Sequence, residues 1–318
     1  MNDAVGTAAP VTRRVRAYFA PVDRTTGTPT LFDAARDGGF PIDTPPSPWV
    51  DLGWCSGFAR TAATKIEALR TGSPGMTASQ FRTEVDASVS LEFASWGKLQ
   101  LALSAGSQQM NLLRTVTGTA ANGSGGTAEA ATMLLAGSTA NTLQVGSAAA
   151  PAFSVGGLVA VDLDYTGQIG FVGSGASGAY VRSASDVRGD ANFIRRISLN
   201  VACITRISAG ALQLSGNLLA GAPSAAMKVS RVSGYVDREG DSFFHEWSGL
   251  FCIEGEQGDR VLYHYPRLQA MQSSSETAET LTRPLERLKL AGRFRALPVI
   301  DTNDGAAVVC FRSYLAAQ

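Results

Sequence analysis

Lysine is scarce in this chain: only Lys65, Lys98, Lys228 and Lys289 among 27 basic residues. Charge of either sign is scarce too, 17% of 318 residues, against about 25% in an average soluble domain. The 27 basic and 27 acidic residues cancel. No long-range field therefore draws the chain toward nucleic acid or anionic lipid, which argues against a basic DNA-binding domain. The four cysteines, Cys55, Cys203, Cys252 and Cys310, form no C-x-x-C pair and no short metal spacing, so free buried thiols in a reducing compartment are expected. No apolar run approaches the roughly 18 residues of a membrane-spanning helix. Met1–Gly6 lacks the basic start and apolar stretch of a secretory leader, so a soluble chain kept in cytoplasm-like conditions is expected. Apolar residues are nonetheless an ordinary 45%, which excludes intrinsic disorder and supports one large or two medium domains. A globular surface with so few charges points to burial against other copies of the same chain.

Residues 1–50 carry seven prolines, Pro10, Pro21, Pro29, Pro41, Pro45, Pro46 and Pro48, and read as an extended N-terminal arm. From Phe81 to Phe93 the odd positions are Phe81, Thr83, Val85, Ala87, Val89, Leu91 and Phe93. The even ones are Arg82, Glu84, Asp86, Ser88, Ser90 and Glu92. Strict period two over this length predicts a long strand with one buried and one polar face. A helix over Ser95–Ser104 is expected next, with Ser95 as its cap, Trp96, Leu99 and Leu103 on its packing face and Gly106 at its end. Small residues fill 115–150, read as a flexible loop or weak strands.

Strand patterns resume at Leu158–Tyr165, Phe193–Val201, Leu212–Leu214, Met227–Val232, Ser242–Ile253, Val261–Tyr265, Phe294–Ile300 and Ala307–Leu315. One helix, broken at Pro284, is expected over Glu276–Leu290. The whole is all-β dominated and β-sandwich or barrel-like, with one short flanking helix. A core over 51–114 and 235–318 is expected to enclose an inserted second β module over 115–234.

The motifs that would carry chemistry fail on context. Gly173-Ser174-Gly175-Ala176-Ser177-Gly178 fits G-x-G-x-x-G, but no helix period follows to hold a pyrophosphate. No cofactor is expected. His245 and His264 have no serine in a nucleophile-elbow setting, and read as strand fillers. Asp162 and Asp164 share a strand face without the further oxygens that calcium wants. Asp237, Arg238 and Glu239, followed by Glu246, read as a charged hairpin corner held by ion pairs. No catalytic residue, metal ligand or enzyme activity is expected.

Other runs carry a resemblance. Leu52-Gly53-Trp54-Cys55-Ser56-Gly57-Phe58, Lys65-Ile66-Glu67-Ala68-Leu69-Arg70-Thr71-Gly72, the alternating strand, Trp96-Gly97-Lys98-Leu99-Gln100-Leu101-Ala102-Leu103 and Ser107-Gln108-Gln109-Met110-Asn111 resemble the N-terminal part of bacteriophage tail tube (major tail) proteins. The turn Asp237-Arg238-Glu239-Gly240 into Phe244-His245-Glu246-Trp247 agrees with this, as does the ending from Ala296-Leu297-Pro298-Val299 to Cys310-Phe311-Arg312-Ser313. The likeness covers roughly 50–112 and 235–315. It implies a β-sandwich with a flanking helix, hexameric rings and rings stacked into a hollow tube. In such a tube DNA passes through the lumen without sequence-specific binding.

The resemblance further implies a virion tail assembled in the bacterial host cytoplasm. The partners would be other copies of the chain, the tape measure protein and other tail proteins, with no membrane segment. Under it, Arg82, Glu84, Asp86 and Glu92 are the candidate lumen-facing residues, because acidic or neutral walls let phosphates slide. The rival readings are another virion ring, baseplate, terminator or capsid-decorating protein, and a hydrolase on a β scaffold.

Overall fold

The computed structural model describes residues 15–22, 27–46, 48–121, 123, 125–163, 198–238, 246–255, 258–271 and 290–316. Its elements in chain order are β1 (Val15–Pro21), α1 (Ala34–Asp37), β2 (Val50–Thr71), β3 (Met76–Phe93), α2 (Lys98–Ala105), β4 (Gln108–Leu113), β5 (Thr132–Met133), β6 (Thr142–Gln144), β7 (Leu158–Leu163) and β8 (Val201–Ser208). They continue with β9 (Ala211–Leu214), β10 (Met227–Arg238), β11 (Glu246–Glu254), β12 (Arg260–Ala270), β13 (Leu290–Leu297), β14 (Val299–Ile300), β15 (Ala307–Val308) and β16 (Phe311–Leu315). The protein is all-β dominated, and the two described α-helices are short.

The first sheet runs β11-β1-β2-β3-β13-β12-β16, and β11 also pairs with β12. That extra pairing closes six antiparallel strands into a barrel and removes their free edges. Alternation decides what fills it. Phe19 of β1, Leu52 and Cys55 of β2, Val89, Leu91 and Phe93 of β3, Phe251 of β11, Leu268 of β12 and Phe294 of β13 share one buried cluster. Each fully buried Phe or Leu there contributes roughly 1.5–3 kcal/mol.

A second cluster lies on the outside of β1, β11 and β12. Tyr18, Leu250, Cys252 and Leu262 are covered there by Phe32, Phe40 and Trp49. Strands β1 and β11 are thus buried on both faces, which is why they read as continuous apolar runs rather than alternating ones.

Residues 15–50 therefore depart from the expected extended arm. Val15–Pro21 is an interior strand, antiparallel to β2 on one edge and β11 on the other. Five of the prolines that suggested an arm, Pro29 to Pro48, stand after it, in a segment that folds back over the barrel. There Asp33 caps α1 by accepting from the backbone N–H of Ala35 and Arg36, and the Tyr18 hydroxyl donates to the Ile42 carbonyl at 2.5 Å.

The second sheet, β4-β10-β7-β8-β9-β6 with β5 on β10, has its own core of Leu143, Phe153, Val159, Val161, Ile204, Leu212 and Val229. The region expected to be a flexible loop or weak strands without a core, 115–150, forms the short strands β5 and β6 and supplies Leu134, Leu143, Val145 and Ala150 to that core. Both ends of the sheet reach past the expected insert of 115–234, since β4 begins at Gln108 and β10 runs to Arg238. The β8–β9 turn has positive φ at Ala209 (49°) and Gly210 (82°), the mirror-image turn that suits the twist of a tight hairpin. A Cβ on Gly210 would meet the Gly146 backbone at 2.6 Å, so no larger residue fits without a shift.

Helix α2 starts three residues later than expected. Its N-cap is Gly97, and Gly106 ends it at φ 65°, as the sequence indicates. Leu99 and Leu103 enter the barrel core. Trp96 does not: it precedes the helix and is 47% exposed, because the first helical turn begins after it. The expected strand over Phe193–Val201, the helix over Glu276–Leu290 and the glycine motif at 173–178 lie wholly or mostly outside the described residues.

Candidate functional site

The β2–β3 hairpin leaves the barrel and keeps going. Residues 61–86 are exposed without a break, although Ala59–Thr71 and Met76–Ser90 remain paired strand to strand. Eleven residues at about 3.3 Å each carry this ribbon roughly 35 Å beyond the core. It bears Ile66, Leu69, Met76, Phe81 and Val85, all 44–72% exposed. An isolated two-stranded ribbon is marginal in water, and apolar side chains held out on one mark a contact surface.

Register explains which residues share each face, because cross-strand partners point the same way. Glu84 pairs with Lys65 and Asp86 with Ala63, but Arg82 pairs with Ile66. Lys65 and Ile66 are neighbours on one strand and so point to opposite faces. The pairing shifts between them, leaving Thr83 as the extra residue of a bulge, which inverts the alternation of β3 beyond it.

The expected set Arg82, Glu84, Asp86 and Glu92 is accordingly split. Glu84, Asp86 and Glu92 stay on the face turned away from the barrel core. Arg82 moves to the other.

The ribbon is thereby sorted by charge. One face carries Lys65, Glu67, Glu84 and Asp86, with Leu69, Met76 and Phe81 farther out. The other carries Arg70 and Arg82 with Ile66 and Val85, and continues to Arg60, whose Nε donates to the Tyr265 hydroxyl at 3.0 Å. Asp86 meets Arg295 of β13 at 3.2 Å, and the Ser56 hydroxyl donates to Glu92 at 3.2 Å. These contacts anchor the root of the acidic face on the barrel wall.

The other singled-out residues are structural in their described surroundings. Arg267 Nε and Nη2 donate to the Glu246 carboxylate at 2.7 and 2.9 Å. Glu246, expected in the charged hairpin corner, is therefore held across β11–β12 by Arg267. Asp237 and Arg238 end β10, paired with Gln109 and Gln108. Glu239 and His245 lie outside the described residues, as does Asp164. His264 sits among the rings of Phe32, Trp49 and Phe311, and burial there pushes it down to about 4.

Cys55 and Cys252 are buried and Cys203 and Cys310 half-buried, all four free. Burial lifts the Cys55 thiol to about 12 and the Cys252 thiol to about 11, far from the reactive thiolate range. Among the described residues no three His, Cys, Asp or Glu side chains gather to hold a metal. No described helix is long and apolar enough to cross a membrane. A cleft of about 230 Å³ beside Phe153, Arg114 and Arg231 is smaller than the roughly 300–1,000 Å³ of ordinary ligand pockets. Arg231 is already paired with Glu129 there.

The chain matches no protein-family model and none of the curated proteins searched.

Proposed function

We propose that this chain is a structural protein that assembles with copies of itself into rings, and that stacked rings form the hollow tail tube of a bacteriophage. The observation that carries the reading is the β2–β3 ribbon, a long, paired, apolar-bearing outgrowth with none of the described residues of its own chain beneath it. Such a ribbon gains stability when a neighbouring subunit covers one of its faces. The barrel behind it has closed edges, so growth is directed through the ribbon rather than through stray strand pairing.

In this reading the face of Glu84, Asp86 and Glu92 lines the lumen and repels phosphate. Farther out, Leu69, Met76 and Phe81 on that face, and Arg82, Arg70, Ile66 and Val85 on the other, lie against the neighbouring subunits. DNA then slides past without being read. Six subunits per ring, the tape measure protein inside and the other tail proteins at the ends belong to the same proposal.

Electron microscopy of the purified chain tests it. Stacked rings with a wide lumen are expected. Single rings that never stack favour a terminator or baseplate component instead. Dispersed monomers at high concentration overturn the assembly reading, as does a reconstruction with the Glu84 and Asp86 carboxylates on the tube exterior for the lumen assignment.

A further inference from the structure

One cluster of reactive groups is used neither by the barrel nor by the ribbon. Lys98 opens α2 and Asn111 stands in the middle of β4, and both are sealed from solvent, at 7% and 0% exposure. The Lys98 ammonium Nζ lies 3.1 Å from Asn111 Oδ1. A carbonyl bond is about 1.23 Å long, so Nζ stands within about 4.3 Å of the amide carbon.

A single acceptor holds both groups. The Ser198 carbonyl receives Lys98 Nζ at 2.7 Å and Asn111 Nδ2 at 2.9 Å. An amine and the amide nitrogen it would displace are thus clamped side by side, where water does not compete. Such pre-positioning of a nucleophile removes much of the entropic barrier of an acyl transfer. A buried carboxyl, Asp162 of β7 (1% exposed), is the acid whose charge acts on Lys98.

We propose that Lys98 and Asn111 become joined by an isopeptide bond within the folded chain, with Asp162 relaying the proton. The uncharged amine attacks Cγ of Asn111 and forms the Nζ–Cγ bond. Asp162 takes a proton from Nζ and returns one to Nδ2. The Cγ–Nδ2 bond then breaks and ammonia leaves. One amine and one primary amide give one secondary amide and one ammonia, with no oxidant, reductant or cofactor. Burial favours the attacking form, because desolvation pushes the Lys98 amine well below its ordinary value, with Asp162 opposing. The product ties the start of α2 covalently to the second sheet, across the seam between the two cores.

Mass spectrometry of the full chain, denatured after purification, tests this. The expected mass is about 17 Da below that of the sequence, the loss of one ammonia to an amine nucleophile. A tryptic digest should then give a branched peptide, uncut at Lys98 and linked through Asn111. The N111A variant should return to the sequence mass and be cut at Lys98. The D162N variant should fold and stay unlinked, or link at least tenfold more slowly.

A wild-type chain at its full sequence mass, cut normally at Lys98, overturns the bond. So does an ammonia loss mapped to any other residue. A D162N chain linked as fast as the wild type overturns the relay. If D162N fails to fold, the wild-type mass and its branched peptide still decide the bond. None of these readings depends on whether the chain forms tubes.

Discussion

Replacing Leu69, Met76 and Phe81 together by serine removes the apolar side chains from one face of the ribbon and leaves its backbone pairing intact. These residues are 54%, 72% and 51% exposed, so at least half of each side chain remains for a neighbour to cover. Full burial of such side chains is worth roughly 1.5–3 kcal/mol, so the uncovered share is about 1 kcal/mol each. The triple variant should therefore lose about 3 kcal/mol per ribbon contact, roughly 150-fold in the association constant. Its monomer should be unchanged, because exposed substitutions move stability by about 0.5 kcal/mol or less. Sedimentation velocity over a concentration series reads the first effect, and thermal unfolding reads the second. Assembly at the same concentration as the parent chain would refute the role of this face. A fall in monomer melting temperature beyond a few degrees would show that the ribbon supports the fold itself, which the exposure pattern denies.

Three other expectations follow from the cores. His264 is neutral in the folded protein down to about 4, against 6.5 unfolded; above pH 6.5 both states are neutral and it has no effect. As pH falls from 6.5 to 4 the unfolded chain gains the proton first, so up to about 3 kcal/mol of stability is lost. Urea unfolding at stepped pH should show that loss, and His264→Phe should flatten it; an equal slope in the variant would assign the acid sensitivity elsewhere. Leu103→Ala should cost about 2–5 kcal/mol by leaving a cavity in the barrel, whereas Trp96→Ala should cost less than about 1 kcal/mol. Equal losses in chemical denaturation would contradict their different burial. Gly210→Ala should cost clearly more than Gly118→Ala. Both have positive φ, worth about 1–2 kcal/mol, but only Gly210 has backbone atoms within 4 Å of the new methyl.

Where one face met a core and the other met water, the sequence was readable. Ala87, Val89, Leu91 and Phe93 alternate with Ser88, Ser90 and Glu92, and the odd set is buried. The same alternation misleads farther out, because Phe81 and Val85 continue the pattern with no core beneath them among the described residues. A pattern reports which side chains are apolar, and says nothing about whether the chain itself supplies the cover. The bulge at Thr83 was invisible for a related reason: period two is unbroken in β3, and only the partner strand shows the slip. Strand β2 escaped because Thr61-Ala62-Ala63-Thr64 is small and exposed on both faces, so it has no periodicity to detect. Strand β1 escaped for the opposite reason, being apolar on both faces and flanked by prolines. The Lys98–Asn111 cluster joins a helix start to a strand thirteen residues on and to the Ser198 carbonyl; no local spacing rule brings these together.

The place of β1 in the barrel sets an order of events in time. Val15 pairs with Ile253, so the barrel cannot close until a late part of the chain has left the ribosome. The β2–β3 ribbon needs only a local turn and can form long before that. Contacts so distant in sequence are slow to make, while local ones are fast. Each new chain therefore passes through a stage in which the residues of its stickiest surface are already out and its body is not yet closed. A cell making many copies at once would have to keep those ribbons apart until the last strands arrive.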